Sequence, residues 1–381
     1  MTGEQPPRSR AESDLLTQER YARAAWSRIA EPGDTTARSA ISRGGAVAAL
    51  QRVLDGDRDL ARFQPRADRL DVARDLQVAE RFGARVVVPG DEEWPGGVDD
   101  LASPPYCLWV RGPLRLGAAC ERSVAIVGAR SATAYGEAVA ADIAAGVADR
   151  GFAVVSGAAF GIDAAAHRGA LAVDGRTVAV LAGGVERPYP AAHTALLSRI
   201  ADSGAVVSEV APGSAPTRNR FLQRNRLIAT LAGGTVVVEA GLRSGSLNTA
   251  GHALKAGRVV GAVPGPVTSM MSAGCHEWIR GARAVLVTDA AEVADAVGAI
   301  GEDLAPHRSG PVLAGDGLDE VPARVLDALP PSRGVGLDRL SLAAGLTVAE
   351  VQSALGLLEL RGLAERHGEG WRKSRRTGDR R

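Results

Sequence analysis

The sequence predicts an α/β protein built around a doubly wound, mostly parallel sheet, with a small helical module before the sheet and a winged helix after it. Two observations support the sheet. Between residues 123 and 290, short apolar segments alternate with amphipathic ones, and nearly every apolar segment runs into a loop rich in Gly or Ser. Parallel strands that are covered by helices on both faces are apolar throughout in this way.

The N-terminal region has the pattern of a tail followed by helices. Residues 1–14 are rich in polar residues, Pro and charge, which is typical of disorder. Over residues 15–80, apolar residues recur at helical spacing and are interrupted at Pro32-Gly33 and at Gly56. The pattern predicts a SAM-like or helix-hairpin-like module. It leaves open whether this module packs and binds partners or contacts a DNA backbone.

The central domain is placed at residues 84–298. Its first two strands, at residues 85–88 and 107–110, are separated by prolines, which favours an edge or covering position. Ligands of doubly wound sheets bind outside the carboxyl ends of the strands, so the loops there form the candidate site. Seven further strands are predicted at residues 124–127, 153–156, 178–181, 205–208, 235–238, 259–263 and 284–287. Helices between them include residues 135–149, 162–173 and 191–201.

The loops at those carboxyl ends have the composition of an anion-binding site. Gly128, Arg130 and Ser131 follow one strand, and Gly157 and Gly161 follow the next. Glycine permits tight turns, and the N-terminus of the following helix offers free N–H groups and a positive dipole to a phosphate. A guanidinium beside such a helix start is suited to hold one phosphodiester. The alternative is that these glycines only allow helices and strands to pack.

A strongly basic segment lies between two of the predicted strands. Four arginines fall within residues 218–226, with no acidic residue among them, and Phe221 lies in their midst. The pattern predicts a concentrated positive surface with an aromatic ring for stacking, and therefore binding of a polyanion. The alternative for Phe221 is an ordinary core position under the helix.

Several classes of ligand are disfavoured. The first loop of the parallel sheet, GARSATAYG, lacks the G-x-G-x-x-G pattern, and no G-x-x-x-x-G-K-[ST] segment occurs. A tightly bound dinucleotide and a P-loop ATPase are therefore disfavoured. Cys107, Cys120 and Cys275 lack the spacing of metal ligands or of a disulfide framework. We expect neither a cofactor nor a metal.

The charge and the N-terminus indicate a cytoplasmic protein with a local binding surface. The formal net charge is +1, so any surface for nucleic acid must be confined to one part of the molecule. The N-terminus carries no apolar signal segment, and no apolar run is long enough to span a bilayer. We expect neither secretion nor membrane insertion.

The C-terminal region is predicted to contain a linker and a winged helix. Residues 299–319 lose periodicity, residues 320–374 contain three helices and a hairpin, and residues 375–381 form a basic tail. Thr347 and Glu350 form a capping box at the start of the third helix. That helix is weakly charged, so we expect it to bind a partner or a DNA backbone rather than to recognise base edges.

Seven ordered motifs within residues 85–290 match a known family. They are SVAIVGARSATAYG from residue 123, SGAAFGIDAAAHRGAL from residue 156, TVAVLAGGVERPYP from residue 177, SE at residue 208, FLQRNRLI from residue 221, VVVEAGLRSGSLNTA from residue 236 and GRVVGAVPG from residue 257. In this order and spacing they resemble the DNA-processing protein A family, also called DprA/Smf. The flanking helical and winged-helix modules resemble the usual accessories of that family.

The resemblance implies an extended Rossmann-like domain that binds single-stranded DNA and is not an enzyme. It also implies a homodimer formed through this domain, and a protein that protects incoming DNA and helps to load the RecA recombinase during natural transformation. Recognition should tolerate any sequence, because backbone and stacking contacts dominate. Carried over by motif position, the DNA-binding residues are Gly128, Arg130, Ser131, Thr133, Gly157, Gly161, Arg218, Phe221, Arg224, Asn225, Arg226, Ser244, Gly245, Thr249 and Lys255.

Three positions depart from the usual family pattern. Phe160 stands where Arg is usual, Ala129 where Ser is usual, and Leu222 where Pro is usual. The loss of an arginine removes a phosphate contact, whereas a phenylalanine adds a ring on which a base can stack. The sequence leaves open which of these effects dominates.

Two other functions remain open from sequence. Glu239 follows Gly233-Gly234 in a pattern similar to that of Rossmann-like phosphoribohydrolases, which act on the N-glycosidic bond of a small nucleotide. The other is a chaperone or scaffold whose contact with DNA is incidental. Asp163 and His167 lie four residues apart and could pair an acid with a base, but no nucleophile accompanies them. A structural hydrogen bond at the Gly161 turn is the simpler interpretation of both.

Overall fold

The computed structural model of the protein describes residues 10–299, 301–306 and 315–374. It divides into two units, residues 1–306 and residues 307–381. The first nine residues of the predicted tail, the middle of the predicted linker and the basic tail at residues 375–381 lie outside the described residues.

The first unit begins with helices that pack around Trp26. The Trp26 ring meets Phe63 edge-on at 5.4 Å between centroids, and its Nε1 donates to the Ala46 carbonyl at 3.0 Å. The first helix begins at Arg10, so the last residues of the predicted tail are helical. The helices are α1 (Arg10–Ile29), α2 (Thr35–Leu54), a 3-10 helix (Arg58–Phe63), α3 (Gln64–Ala67) and α4 (Val72–Arg81).

A nine-stranded sheet forms the centre of this unit. Its strands are β1 (Ala84–Val87), β2 (Leu108–Arg111), β3 (Ser123–Val127), β4 (Ala153–Ser156), β5 (Thr177–Leu181), β6 (Ala205–Ser208), β7 (Gly234–Val237), β8 (Val259–Ala262) and β9 (Val285–Leu286). Their spatial order is β1-β2-β6-β5-β4-β3-β7-β8-β9. β1 and β2 pair antiparallel, β2 also pairs antiparallel with β6, and the other pairs are parallel. The nine predicted strands are confirmed to within one residue at either end.

Helices cover both faces of the sheet. In β3, Val124 and Ile126 belong to the core on one face, whereas Ala125 and Val127 belong to the core on the other. Strands buried on both faces in this way define a doubly wound α/β fold, as predicted. The helices are α5 (Leu116–Glu121), α6 (Ala134–Asp149), α7 (Ile162–Ala172), α8 (Thr194–Ser203), α9 (Arg218–Leu231), α10 (Gly245–Lys255), α11 (Ala273–Arg280) and α12 (Ala290–Val297), with 3-10 helices at Gly96–Asp100 and Ala191–His193.

The N-terminal helices share a core with the sheet. Trp26 of α1, Trp109 of β2 and Leu181 of β5 belong to one buried cluster. The Trp109 Nε1 donates to the Ser27 hydroxyl at 3.1 Å, which joins α1 to β2. The helical module therefore packs directly on the antiparallel end of the sheet.

The strand order reverses direction beside β3. The chain passes from β3 to β4, β5 and β6 on one side, then returns to place β7 on the other side. At such a switch point the loops after neighbouring strands diverge and leave a crevice, which is where open α/β sheets bind ligands. The loops after β3, β4 and β7 border this crevice.

The second unit contains three helices and a hairpin with their own core. Leu340, Leu355 and Trp371 are among its buried residues. The predicted capping box is present, since the Thr347 hydroxyl accepts from the Glu350 amide and the Glu350 carboxylate accepts from the Thr347 amide. The elements are α13 (Glu320–Ala328), α14 (Leu337–Ala344), α15 (Val348–Leu360), β10 (Ala364–His367) and β11 (Gly370–Lys373). This is the predicted winged helix.

No single helix within the described ranges is long and apolar enough to cross a bilayer, although α14 and α15, bent by 99° from each other, meet that requirement as a pair.

Candidate functional site

A cavity of about 600 Å³ lies at the carboxyl ends of β3, β4 and β7. Its wall is formed by the loops that follow these strands and by one side of α9. Nine of the predicted site residues lie on this wall: Gly128, Arg130, Ser131, Phe221, Arg224, Asn225, Ser244, Gly245 and Thr249. The cavity therefore occupies the switch-point crevice that the sheet topology defines.

Two glycines allow the loops to approach one another at the cavity. Gly161 has φ of 72°, and a Cβ there would lie 2.4 Å from the Ala129 carbonyl oxygen. A Cβ at Gly157 would lie 1.4 Å from Nη1 of Arg224. Both predicted glycines thus shape the site: one permits the turn before α7, and the other leaves room for a guanidinium.

Arg224 is buried with part of its guanidinium unpaired. The residue is 6 % exposed, and its Nε and Nη1 are buried without a hydrogen-bond partner. Burial lowers the pKa of Arg224 to about 10, although Asp163 opposes this shift, so the side chain stays charged at neutral pH. A buried charge without a partner is costly. An anion in the cavity would supply the missing partner.

Asp163 holds the turn between β4 and α7. Its Oδ2 accepts from the Gly157 amide at 3.2 Å and from the Ala159 amide at 3.4 Å. Burial raises the pKa of this carboxyl, while Arg224 and the two amides act in the opposite direction. The structural role expected for Asp163 at this turn is present.

His167 has a different partner from the one expected. Its Nδ1 lies 2.7 Å from the Thr177 hydroxyl, which itself donates to the Val154 carbonyl. The hydroxyl must therefore accept, so Nδ1 carries the proton and the buried Nε2 is left without a partner. Burial lowers the pKa of His167 to about 3. The expected bond to the Gly161 turn is wrong, because the ring points to β5.

Two guanidiniums approach the ring of Phe221. The guanidinium carbon of the exposed Arg130 lies 5.0 Å from the centre of the Phe221 ring, and that of Arg224 lies 5.9 Å away. Cation–π contacts at these distances help to fix both cations at the cavity. Phe221 itself is only partly buried. It is therefore not the ordinary core residue that the sequence left open.

The start of α10 forms the opposite wall of the cavity. Ser244 caps the helix, since its hydroxyl accepts from the Ser246 amide at 3.4 Å. Asn225 of α9 reaches across and donates to the Gly245 carbonyl at 3.4 Å. The helix dipole therefore adds positive potential beside Arg224 and Arg130.

Arg226 and Lys255 lie away from this cavity, which corrects their predicted place in it. Arg226 is buried and donates to Glu209 at 2.5 Å. Burial raises the pKa of Glu209, and Arg226 opposes that shift. Together with Lys255, Arg226 lines a separate cavity of about 340 Å³.

The basic segment does not form the concentrated positive surface that the sequence predicted. Arg220 pairs with Glu31 at 2.9 Å and so joins α9 to the N-terminal helices, whereas Arg218 is exposed at the first position of α9. Successive residues of a helix point about 100° apart, so residues close in sequence reach different surroundings. Arg220 and Arg226 thus form structural ion pairs, whereas Arg224 lies at the cavity.

Thr133 and Glu239 cap a helix instead of lining the cavity. The Thr133 amide and hydroxyl donate to the two Glu239 oxygens at 2.9 and 2.7 Å, and the Thr133 hydroxyl accepts from the Gly136 amide at 3.1 Å. Glu239 is 1 % exposed. This places its carboxylate at the start of α6, where it is engaged in holding the loop after β3.

Sequence reasoning missed Arg243 as a site residue. This exposed arginine lies on the cavity wall, in the loop after β7. The sequence could have indicated it, because Arg243 stands directly before the Ser244-Gly245 start of α10. Within the described residues, no group of three or more His, Cys, Asp or Glu side chains is placed to hold a metal ion.

Fold and site together define a Rossmann-like α/β protein with a cationic cavity at its switch point, joined to a winged helix. A model of the family DNA recombination-mediator protein A matches residues 85–298, and a model of the DprA winged helix domain matches residues 310–370. The chain belongs to the DNA processing protein A family, DprA/Smf.

Relatives of known name agree with this assignment. The chain is 48 % identical over 365 residues to a DNA processing protein DprA of Mycobacterium tuberculosis, across 91 % of this chain and 93 % of that protein. It is 35 % identical over 241 residues to DprA of Streptococcus pneumoniae, across 63 % and 83 % of the two chains.

Two solved structures share the fold. DprA of Streptococcus pneumoniae aligns with a TM-score of 0.63 and 29 % identity, across 74 % of this chain and 98 % of that one. DNA processing protein A of Helicobacter pylori aligns with a TM-score of 0.51 and 27 % identity, across 56 % and 95 %, and that structure describes a single-stranded DNA binding mode.

Proposed function

We propose that this protein binds single-stranded DNA in the switch-point cavity. The observation that carries the proposal is Arg224, a buried cation with two unpaired nitrogens on the wall of an open cavity. A phosphate in the cavity would be the counter-ion of this buried guanidinium. Membership of the DprA/Smf family and the single-stranded DNA binding mode described for the Helicobacter pylori protein support DNA as the source of that phosphate.

Different parts of the cavity wall make different contacts with the strand. Arg224 and Arg130 bind phosphate oxygens from one side, and the start of α10 at Ser244 and Gly245 offers amides and a helix dipole from the other. Phe221, which is partly exposed beside these cations, offers its ring to a base. None of these groups reads a base edge, so binding tolerates any sequence.

The arrangement favours a single strand over a duplex. A base that stacks on Phe221 must expose one face, and in a duplex both faces of each base are covered by its neighbours. Melting a duplex to release a base costs a few kcal/mol. Arg130, Phe221 and Arg224 are close enough to contact one nucleotide together. Duplex DNA is therefore the weaker ligand.

We further propose that two copies associate through the β9 edge of the sheet. Val285 and Leu286 of this edge strand are 56 % and 48 % exposed, and Val259 of β8 is 39 % exposed. An exposed apolar edge strand is a natural surface for pairing with another chain. A homodimer would present two cavities to DNA.

The proposed task of this protein, in the cytoplasm, is to protect incoming strands and load the RecA recombinase onto them, without an enzymatic step.

Fluorescence anisotropy with a labelled oligothymidylate tests the proposal. We expect tight binding that unlabelled single strands displace and that duplex of the same length displaces poorly. Arg224→Ala should bind weakly, whereas Arg81→Ala, at an exposed site at the end of α4, is a matched control for the loss of one arginine and should bind as the native protein does. Equal displacement by duplex and single strand would contradict the proposal.

A further inference from the structure

An exposed aromatic ring extends the surface beside Phe221. Tyr189, in the loop after β5, lies 5.5 Å from Phe221 between ring centroids, with the ring planes inclined by 54°. Tyr189 is 46 % exposed. The two rings therefore form one continuous aromatic surface that leads outward from the cavity.

Phe221, the ring of this surface that lies at the cavity, already has partners. Phe221 is approached by the guanidiniums of Arg130 and Arg224, so part of its ring is already in contact with these cations. Tyr189 has only Phe221 as an aromatic neighbour within the described residues. A second base would therefore find its free aromatic surface at Tyr189.

The loop that carries Tyr189 is anchored to the cavity wall. His193, four residues later, holds its Nδ1 2.9 Å from the Ala158 carbonyl, and its ring meets Phe160 edge-on at 4.7 Å. Ala158 and Phe160 lie in the turn between β4 and α7, next to the cavity residue Ala159. A loop anchored before binding loses little conformational entropy when a ligand contacts it.

Two exposed arginines lie close in the chain to the two rings. Arg187 is exposed two residues before Tyr189, and Arg218 is exposed on α9, three residues before Phe221 and so on a neighbouring part of the helix surface. Neither arginine forms an ion pair with another described residue. Aromatic rings with unpaired cations nearby are the combination that binds a single strand, with bases on the rings and phosphates on the cations.

We propose that Tyr189 is a second base-stacking residue, which receives the nucleotide next to the one held at Phe221. This inference rests on the proposed function, since it names a further contact of the same strand. It extends the binding site from the switch-point cavity to the loop after β5.

The test compares Tyr189→Leu with Tyr189→Phe on two oligomers, oligothymidylate and an abasic strand of the same length. We expect Tyr189→Leu to weaken oligothymidylate binding about 10-fold, because stacking of one base contributes roughly 1–3 kcal/mol. Binding of the abasic strand should weaken much less. Tyr189→Phe keeps the ring and should stay within about 2-fold of the native protein on both strands.

Photocrosslinking of the native protein provides a readout that does not depend on the folding of a variant. A strand with 5-iododeoxyuridine at successive positions should crosslink to the peptide that contains Tyr189 at one position and to that with Phe221 at the adjacent one. A native protein that binds no single strand would overturn the proposed function and this inference together. Binding that depends on Arg224, with native affinity in Tyr189→Leu or no crosslink at Tyr189, would overturn this inference alone.

Discussion

Arg224 and Arg226 lie two residues apart on α9 and are equally buried, at 6 % exposure each, yet their surroundings differ. Arg226 has a carboxylate partner, Glu209, at 2.5 Å. Arg224 lies against Gly157 with two nitrogens unpaired, on the wall of a cavity. Arg226 therefore has its partner within the fold, whereas the partner of Arg224 must come from outside the protein. Burial alone does not distinguish the two roles.

The largest effect is expected at the paired arginine. Arg226→Met leaves the Glu209 carboxylate buried without its partner, and we expect the free energy of unfolding to fall by about 3–5 kcal/mol. Urea denaturation followed by circular dichroism measures this. The double variant Glu209→Leu with Arg226→Met removes both charges and should recover most of the loss. A single variant that loses less than about 1 kcal/mol would mean that the pair is not structural.

The unpaired arginine should show the opposite balance. Arg224→Met should weaken binding of single-stranded DNA roughly 10- to 100-fold, since hydrogen bonds to charged groups contribute about 1.5–3 kcal/mol. Its free energy of unfolding should fall by less than that of Arg226→Met, because unpaired nitrogens are removed and the buried Asp163, whose charge Arg224 partly offsets, keeps its two amide donors. Anisotropy and urea denaturation of the same preparation measure both. Arg224→Lys, which keeps the charge without the forked geometry, should fall between.

A buried histidine extends the comparison to pH. Burial lowers the pKa of both side chains. Arg224 stays charged at neutral pH because its pKa falls only to about 10, whereas the pKa of His167 falls to about 3 and its ring is neutral. The unfolded chain binds a proton near pH 6.5 and the folded chain does not. Stability is therefore complete above pH 6.5 and is lost as pH falls toward 3, by about 2 kcal/mol between pH 7 and pH 5. Urea denaturation at the two values should show this slope, and His167→Asn should flatten it.

The smallest effect is expected at the glycine that makes room for the unpaired arginine. A Cβ at Gly157 overlaps Nη1 of Arg224, so Gly157→Ala should displace the guanidinium and weaken single-stranded DNA binding by about 5-fold. Gly356→Ala, at an exposed glycine of α15 with open space around the site of a Cβ, controls for the added methyl group. Native affinity in Gly157→Ala would show that the position of Arg224 is not critical.

The sheet could be predicted from sequence because its signal is local. Each strand is a short apolar run followed by a Gly- or Ser-rich loop, so strand positions and the site at their carboxyl ends follow from the residues themselves. The start of α1 at Arg10 was missed, since a polar segment can be helical where its sequence suggests disorder.

The roles of the arginines on α9 could not be predicted, because their partners are distant in sequence. Arg220 pairs with Glu31, 189 residues away, and Arg226 with Glu209, 17 residues away. The sequence shows four cations in one helix, but tertiary packing decides which of them is neutralised. Tyr189 was overlooked for the same reason, as its contact with Phe221 joins the loop after β5 to α9.

The salt dependence of single-stranded DNA binding, measured for the native protein and for Arg224→Met, tests the central claim most directly. Each neutralised phosphate contributes about 0.7 to the slope of log K against log salt concentration for a single strand. We predict weaker binding and a slope that is shallower by about 0.7 in the variant, which should remain folded. Equal affinity and equal slope in the two proteins would contradict the assignment of Arg224 to a DNA phosphate.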